Sequence, residues 1–491
     1  MKAHELLCTL SHCQGIPDIE IDSVVENATL ANAHSVFICI RGVRHDGHLF
    51  ASQAYEQGCR IFVAEQTLSL PCDAVVIRVS NTRKALATLA CRLYGDPSHR
   101  MHLIAITGTK GKTTTAQLIF KILNANGISC GYIGTNGISY QGIRLPTRNT
   151  TPDALTLQRS LGNMLDAGVH TAVIEVSSQA LMQHRVDGIR FRTLLFTNLS
   201  PDHIGQNEHP DFEHYKACKH RLFTDFDSET VIYNADDPSA ADMLKDTVAA
   251  HRISCSVSDE KNDYAASNVA LLRDRAALGV SFKLHTYGET RSCSLPLLGT
   301  VNASNALLAL ATANAVFGLS LDCAVESLRQ ATVDGRSEIF SLPNGACAVI
   351  DYAHNGTSLR QLLSTLAQYR PTRLIALFGS IGERAQMRRK ELGEAAAELC
   401  DICFLTSDNP AHEDPNAIIE DIAEAFSGSD TLVFKIPDRA EAIRKAISMT
   451  RSGDILVLAG KGHESYQLIG DEKLPFCERE ILEGAIRALV P

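Results

Sequence analysis

No stretch of the 491-residue sequence reaches the roughly 18 apolar residues that a bilayer-crossing helix needs, so no membrane-spanning helix is expected. The N-terminal MKAHELLCTLSHCQG lacks the cationic region followed by a long apolar one that marks a secretory signal, and the protein is expected in the cytoplasm. Basic charge is not in excess. The 46 Lys and Arg face 56 Asp and Glu, for a net charge of -10, which disfavours a broad nucleic-acid or anionic-membrane surface while leaving room for local basic sites. Low-complexity tracts, long charge runs and short-period repeats are missing as well. The 15 cysteines are too scattered to staple a secreted domain and read as free thiols of a reducing compartment. Their one close pair, Cys400 and Cys403 in LCDICFL, has no second motif to complete a zinc or redox site and reads as buried thiols.

What is present suits an ordinary globular protein: 45% of residues are hydrophobic and 21% charged, over a length that allows about three domains. Apolar runs at 35–40, 59–65 and 74–80 predict strands, closed by a helix ending at Gly95. From Leu103 the order becomes strand, helix, strand: HLIAIT, a helix ended by Asn126 and Gly127, then SCGYIGT. Thr151 and Pro152 are read as N-cap and first residue of the next helix, ahead of the strands TAVIEVS and TLLFTNLS. A β-rich patch at 266–298 precedes two helices, and a second alternating unit follows with CAVIDYA, RLIALFG, ICFLTSD, TLVFKIP and DILVLAG as short central strands. The expected fold is α/β in three domains: a smaller N-terminal α/β domain at 1–100, a central P-loop-type doubly wound sheet at 101–336 and a C-terminal Rossmann-like sheet at 337–491.

The segment ITGTKGKTTT lies between a strand and a helix, where backbone N–H groups and a helix N-terminus cradle phosphates. Lys112 would reach the terminal phosphates and Thr113 would ligate Mg2+, with Gly108, Thr109, Lys110, Gly111 and Thr114 completing an ATP-binding loop. It is not a full GxxxxGK[ST] sequence, because the first glycine would fall at Ile106; a tight glycine turn with exposed lysines is the plainer alternative. Glu175 ends one predicted strand and His203 follows the next, and the carboxyl ends of parallel strands are where open α/β sheets bind ligands. Either alone reads equally well as a buried structural residue. Beside the loop, the two together point to a metal–phosphate site.

GTKGKT, EVSS, NLSPDH, HYKACK, LLGTVNASN, GRSE, DYAH, DNP and GKGHE occur in the order and spacing of the Mur ligases. The chain resembles that family, most closely its MurE type, the UDP-N-acetylmuramoyl-tripeptide synthetases, over nearly its whole length. The resemblance implies an ATP-dependent amide ligase of peptidoglycan precursor synthesis, serving cell-wall growth, cell shape and division. In such enzymes the carboxylate of UDP-MurNAc-L-Ala-D-Glu attacks ATP, and the resulting acyl phosphate is converted to an amide by a free amino acid. Both reactants are anionic, so positive charge must screen their approach. The resemblance gives that task to Lys112, to one Mg2+ at Thr113 and Glu175, and to a second at His203 and Lys219, the lysine being carbamylated by CO2 to N6-carboxylysine. Without the motif, Lys219 reads as a solvated helix lysine, as Lys216 still does.

The same resemblance implies sugar-nucleotide contacts at Ser23, Val43, Arg44 and His45. It implies muramoyl-peptide contacts at Asn149, Thr150, Thr151, Ser177, Gln183 and Arg185, nucleotide contacts at Asn302, Asn305 and Arg336, and an interdomain role for Asp351 and His354. Arg185 suits a carboxylate or diphosphate because its fork donates two parallel hydrogen bonds. The chain departs from the family at Val24 in DSV, Gln179 in EVSSQ and Gly356 in DYAHNG, none a presumed metal or phosphate ligand. A monomer is expected.

For the incoming amino acid the resemblance implies a pocket of Arg389, Asp408, Asn409, Pro410, Ala411, Gly460 and Glu464, with Arg389 on the α-carboxylate and the two acids attracting an ammonium. Members that add meso-diaminopimelate read DNPR, the arginine gripping the second carboxylate; this chain reads DNPA. A hydrogen bond to a charged group contributes about 1.5–3 kcal/mol, roughly 10- to 100-fold. L-lysine or L-ornithine is therefore expected ahead of diaminopimelate. Two other readings are a relative acting on a different carboxylate and an inert nucleotide-binding regulator; retention of Thr113, Glu175, His203 and Lys219 argues against the second.

Overall fold

A computed structural model describes residues 1–489 except 11–15, 43–44, 203, 206–207, 275–276, 334–336, 384–385 and 463. Backbone contacts gather into two units: 1–256 with 262–264 and 308–319, and 257–261 with 265–307 and 320–491.

The first unit opens with α1 (Ala3–Leu7) and a parallel sheet in sequential order, β1 (Ser23–Val25), β2 (Ser35–Ile38), β3 (Ile61–Ala64) and β4 (Val75–Arg78), with α2 (Ala51–Glu56) between β2 and β3. Helix α3 (Thr82–Leu93) starts where the Asn81 side chain accepts from the N–H groups of Arg83 and Lys84. Its Leu86, Leu89 and Ala90 pack on Val36, Ile38, Ile61 and Val63, and each buried leucine contributes about 1.5–3 kcal/mol. The alternate strand residues, Phe37 and Phe62, pack with Ala51 and Ala54 of α2 on the other face. Both faces are covered, which is why these strands are continuously apolar.

A second sheet follows in the same unit: β5 (His102–Thr107), β6 (Cys130–Gly134), β7 (Gly137–Tyr140), β8 (Ile143–Leu145), β9 (Thr171–Glu175), β10 (Thr193–Phe196), β11 (Ser228–Asn234) and β12 (Ala249–Ser256). Their spatial order is β12-β11-β10-β5-β9-β6-β7-β8, parallel from β12 to β6 and antiparallel over β7 and β8. Helices α4 (Lys112–Ala125), α5 (Ala154–Asp166), α6 (Ser178–Met182), α7 (Phe212–Thr224) and α8 (Ala240–Met243) connect them. Strand β5 has β9 on one side and β10 on the other, so the chain reverses its direction of travel across the sheet here and leaves a crevice at the carboxyl ends of all three.

One expected helix start is corrected. The cap of α5 is Asp153, which accepts from Thr156 N, and not Thr151. Thr151 is fully buried and its hydroxyl donates instead to the Glu175 carbonyl at 2.7 Å.

In the second unit the β-rich patch is an antiparallel meander of β13 (Tyr264–Asp274, from Ala265 onward), β14 (Ala277–Thr286) and β15 (Glu289–Leu295). A six-stranded sheet then runs β16-β17-β21-β18-β19-β20, built from β16 (Glu338–Ser341), β17 (Cys347–Asp351), β18 (Leu374–Phe378), β19 (Ile402–Leu405), β20 (Leu432–Lys435) and β21 (Ile455–Ala459). All are parallel except the edge strand β16. Alternate residues serve opposite cores: Val349, Ala376 and Val457 pack with Leu359, Leu363 and Leu392, while Ile350, Leu377 and Leu458 pack with Ile443 and Ile447. A hairpin, β22 (Tyr466–Ile469) and β23 (Glu472–Pro475), forms a separate two-stranded sheet. Cys400 and Cys403 are buried free thiols. Among the described residues no helix is long and apolar enough to cross a membrane.

Candidate active site

The loop after β5 holds its shape through backbone conformations that favour glycine. Gly108 has φ 149°, and a Cβ there would lie 2.0 Å from Thr197 Oγ1; Gly111 caps α4 with φ 84°. The segment after β10 fastens the loop from outside. Thr109 N donates to Asn198 O at 2.8 Å, Lys110 N to Asn198 Oδ1 at 2.9 Å, and Thr197 Oγ1 to Lys110 O at 2.7 Å. Helix α4 begins at Lys112, with Thr113 and Thr114 in its first turn, which aims its first-turn N–H groups and positive dipole end at the loop. Lys112 Nζ donates to the carbonyls of Gly108 (2.8 Å) and Thr109 (3.0 Å).

Glu175, at the end of β9, is fully buried and meets Thr113: the hydroxyl donates to Oε2 at 2.8 Å. Its other oxygen accepts from the Tyr132 hydroxyl at 2.6 Å and Thr135 N at 3.1 Å. Burial, then the Glu175 charge, push the Tyr132 phenol far above its ordinary range, so it stays a donor. Gly134 makes room, since a Cβ there would stand 2.2 Å from Glu175 Oε1. The hard oxygens of Thr113 and Glu175 suit Mg2+, and their 2.8 Å separation matches the edge of an octahedron with bonds of about 2.0–2.1 Å. Tyr132 and Thr135 were not legible as site residues; YIGT reads simply as a strand end.

The expected peptide contacts are joined to this cradle. Thr151 Oγ1 donates to the Glu175 carbonyl, Ser177 N donates to Thr151 Oγ1 at 3.0 Å, and Arg185 Nη1 donates to Thr151 O at 2.7 Å while Nη2 donates to Gln183 Oε1 at 2.8 Å. Thr150 and Thr135 share a hydroxyl contact at 3.1 Å, and Asn149 is exposed beside them. Burial, then the neighbouring Arg83 charge, lower the Arg185 pKa. A cationic site that tense favours an anionic ligand.

On α7 the two lysines have opposite surroundings. Lys216 Nζ pairs with Asp242 at 2.7 Å on the surface. Lys219 is 1% exposed, and its Nζ donates to Gly108 O at 2.8 Å, the same carbonyl that receives Lys112. Burial, then the Lys112 charge, push its ammonium well below the ordinary lysine range. His203, Val43, Arg44 and Arg336 lie outside the described residues.

Near β1 and β2, a cavity of about 490 Å³ is lined by Glu26, Asn27, His45, Phe50 and Arg83, among others. It takes in His45 but not Ser23, whose hydroxyl donates to Asp22 Oδ1 at 2.9 Å. Phe50 and Arg83 carried no sequence signal.

The second unit has its own cavity, about 390 Å³, lined by Tyr352, His354, Arg388, Asp408, Asn409, Ala411, Gly460, Glu464 and neighbours. Fully buried Lys461 sits beneath it, donating to Asp408 Oδ1 (3.1 Å), Asn409 Oδ1 (3.0 Å) and Glu464 Oε2 (3.1 Å). Two carboxylates share one ammonium, leaving net negative charge; after burial, Glu464 and Asp408 are what raise the Tyr352 phenol. Gly460 (φ 110°) lets the backbone approach, since a Cβ would lie 3.0 Å from Asp408 Oδ2. Pro410 is buried, and the next residue, Ala411 (φ 52°), is held by the β22–β23 hairpin, with N donating to Leu468 O and O accepting from Gly470 N.

Arg389, the expected α-carboxylate contact, is not among the residues that line this cavity. It is 2% exposed and pairs with Glu413 at 2.6 Å and Asp421 at 2.7 Å. Its neighbour Arg388 lines the cavity, with Nε donating to His354 O at 2.7 Å. Helix geometry turns adjacent residues about 100° apart, so only one can face inward. Asp351 accepts from Ser337 N at 2.8 Å and Ala353 N at 2.9 Å, and His354 Nδ1 meets Tyr352 O at 2.9 Å. Asn302 and Asn305 bond to each other at 2.9 Å near the start of the helix Val301–Ala311.

Comparison with known proteins matches residues 20–94 to the Mur ligase family, catalytic domain, residues 106–313 to the Mur ligase middle domain, and residues 335–462 to the Mur ligase, glutamate ligase domain. A relative from Geobacillus thermodenitrificans, UDP-N-acetylmuramoyl-L-alanyl-D-glutamate--2,6-diaminopimelate ligase, is 37% identical over 502 residues, spanning 99% of both chains. The ligase of the same name from Chlorobaculum tepidum is 38% identical over 458 residues, 92% of this chain and 89% of that one. A solved structure of a ligase so named superposes with a TM-score of 0.75 at 28% identity, covering 100% of this chain and 99% of that one.

Proposed function

The chain belongs to the Mur ligase family, and on that premise we propose that it joins a free diamino acid to UDP-MurNAc-L-Ala-D-Glu with ATP as phosphoryl donor. The observation that carries this reading is one continuous hydrogen-bonded path. It runs from the phosphate loop at Thr113 through Glu175 and Thr151 to the Arg185 guanidinium, so that a triphosphate cradle and an anion anchor share a framework. The loop N–H groups and Lys112 hold the triphosphate, and Arg185 with Ser177 and Gln183 orients the peptide. The peptide carboxylate oxygen attacks the γ-phosphorus as the bond to ADP breaks. The amino nitrogen then attacks the acyl carbon, phosphate leaves, and the nitrogen gives up a proton. Thr113 and Glu175 would hold Mg2+, whose charge would offset the phosphate charge that repels the attacking carboxylate.

Lys219 is read as the carbamylated lysine. Its burial beside Lys112 favours the neutral amine, the form that bonds to CO2 and releases one proton. In this reading residues 1–100 hold the sugar nucleotide, 101–336 ATP and 337–491 the amino acid, with the cavity around Asp408, Lys461 and Glu464 receiving the side-chain ammonium and Arg388 the carboxylate.

Which diamino acid enters turns on Ala411. Ala411, which lines the cavity, stands where the family resemblance puts the arginine donor for a second carboxylate, and in this reading that favours L-lysine or L-ornithine; the relatives' names favour 2,6-diaminopimelate. The protein incubated with ATP, Mg2+, UDP-MurNAc-L-Ala-D-Glu and, separately, L-lysine, L-ornithine, meso-diaminopimelate or a neutral amino acid tests both levels by mass spectrometry. A lysine-containing product with ADP is expected. Diaminopimelate used as well as lysine overturns the Ala411 reading, and no amide with any of them overturns the ligase reading.

A further inference from the structure

A second group of ligating side chains stands at the start of α7, outside the roles given above. His209 precedes the helix, and His214 and Cys218 lie one turn apart on it; their ligand atoms all fall within 4.8 Å of one another. His209 Nδ1 is 2.9 Å from His214 Nδ1, and Cys218 Sγ is 3.8 Å from that same nitrogen. With Zn–N near 2.0–2.1 Å and Zn–S near 2.3 Å at tetrahedral angles, neighbouring ligand atoms stand about 3.4–3.6 Å apart, so both separations are within about half an ångström of a filled site. Two ring nitrogens face each other this closely only with a proton between them, so a lone pair already points where a cation would sit. Behind it, His209 Nε2 is 2.9 Å from Ser178 Oγ, an outer hydrogen bond of the kind that orients a ligating imidazole, and with Nε2 as its donor Nδ1 is the bare nitrogen. His209 and Cys218 are 0% and 6% exposed, so both ligands are walled in by protein.

We propose that His209, His214 and Cys218 form a binding site for a zinc-class divalent cation, with a solvent molecule in the fourth position. Imidazole and thiolate select such ions over Mg2+, which takes oxygen ligands, so this site is chemically separate from Thr113 and Glu175. On binding, the Cys218 thiol gives its proton to solvent, the His214 proton moves from Nδ1 to Nε2, and three metal–ligand bonds form without change of oxidation state. The position has a consequence. The Tyr215 ring lies 5.2 Å from that of His209, its hydroxyl donates to Thr109 Oγ1 at 3.1 Å, and Lys219 Nζ lies 4.7 Å over the same ring. A cation tying residue 209 to the first two turns of α7 therefore steadies the helix that carries Lys219 against the phosphate loop.

Cobalt titrated into the full-length protein, with excess Mg2+ and ATP occupying the phosphate site, tests the assignment. The expected result is one tightly bound equivalent showing the visible bands of tetrahedral Co2+ and a thiolate-to-cobalt charge-transfer band, displaced by stoichiometric Zn2+. Cys218→Ser should abolish the charge-transfer band, and His214→Asn should weaken binding at least about 10-fold, the scale of losing one element of a metal site. If Cys218→Ser fails to fold, Cys218→Ala serves the same readout. The proposal falls if bound Co2+ gives only octahedral bands, if no Co2+ binds beyond that at the phosphate site, or if the charge-transfer band survives in a folded Cys218 variant.

Discussion

In the proposed function the loop after β5 and the Asp408 cavity both take charged ligands, but they are made of different material. At the loop, recognition lies in the backbone: Gly108 and Gly111 set its path, the start of α4 supplies N–H groups, and the chain after β10 clamps it at Thr109 and Lys110. At the cavity, recognition lies in side chains that also satisfy one another. Lys461 shares itself among Asp408, Asn409 and Glu464, while Arg389 is taken up by Glu413 and Asp421 and leaves Arg388 at the wall. A backbone cradle tolerates little variation and performs one task. A cavity of mutually paired charges can be retuned by one residue, which fits the amino-acid selection proposed for it.

The contrast can be broken most severely at Lys219. Lys219→Ala is expected to lower kcat by roughly 10²–10³-fold, the scale of removing one charge-stabilising group, with short-chain carboxylic acids partly restoring the rate. Full activity without added acid would remove the carbamate from the mechanism. Ala411→Arg is expected to move the ratio of kcat/KM for meso-diaminopimelate over L-lysine upward by about 10- to 100-fold, the contribution of one charge-assisted hydrogen bond, with KM for ATP unchanged. An unaltered ratio would mean that Ala411 does not choose the substrate.

Smaller effects separate the two neighbouring arginines. Arg388→Met should raise KM for the amino acid by about 10-fold with little change in melting temperature, the size of one lost hydrogen bond to a charged group. Arg389→Met should do the reverse, costing about 1–3 kcal/mol of stability because its partners are only partly buried. An exchange of these two outcomes would show that Arg389 faces the ligand after all. Lys216→Ala should leave kcat within a factor of two and stability within about 1 kcal/mol, since its pair with Asp242 is at the surface.

Much of the fold was legible because the central parallel strands are short, mostly apolar on both faces and followed by a helix or a turn. His102–Thr107 forms as the pattern predicts, and α4 ends at Asn126 and Gly127. The start of α5 was misread because Thr151 and Asp153 are both good caps; the buried carbonyl of Glu175 claims the Thr151 hydroxyl, and Asp153 is left to cap the helix. Tyr132 and Thr135 were missed because nothing local distinguishes a tyrosine that packs from one that orients a carboxylate 43 residues away.

By itself the sequence determined the alternation of elements, the phosphate loop and the family, because glycine placement, hydrophobic period and motif spacing act over a few residues and survive without knowledge of neighbours. Only the tertiary structure decided which charges are available. Lys219 and Lys216 occupy one helix a turn apart, yet one is sealed against Gly108 O and the other sits on the surface with Asp242. Burial and the identity of the nearest charge, both properties of the packed chain, separate the lysine suited to chemistry from the one that stabilises a surface.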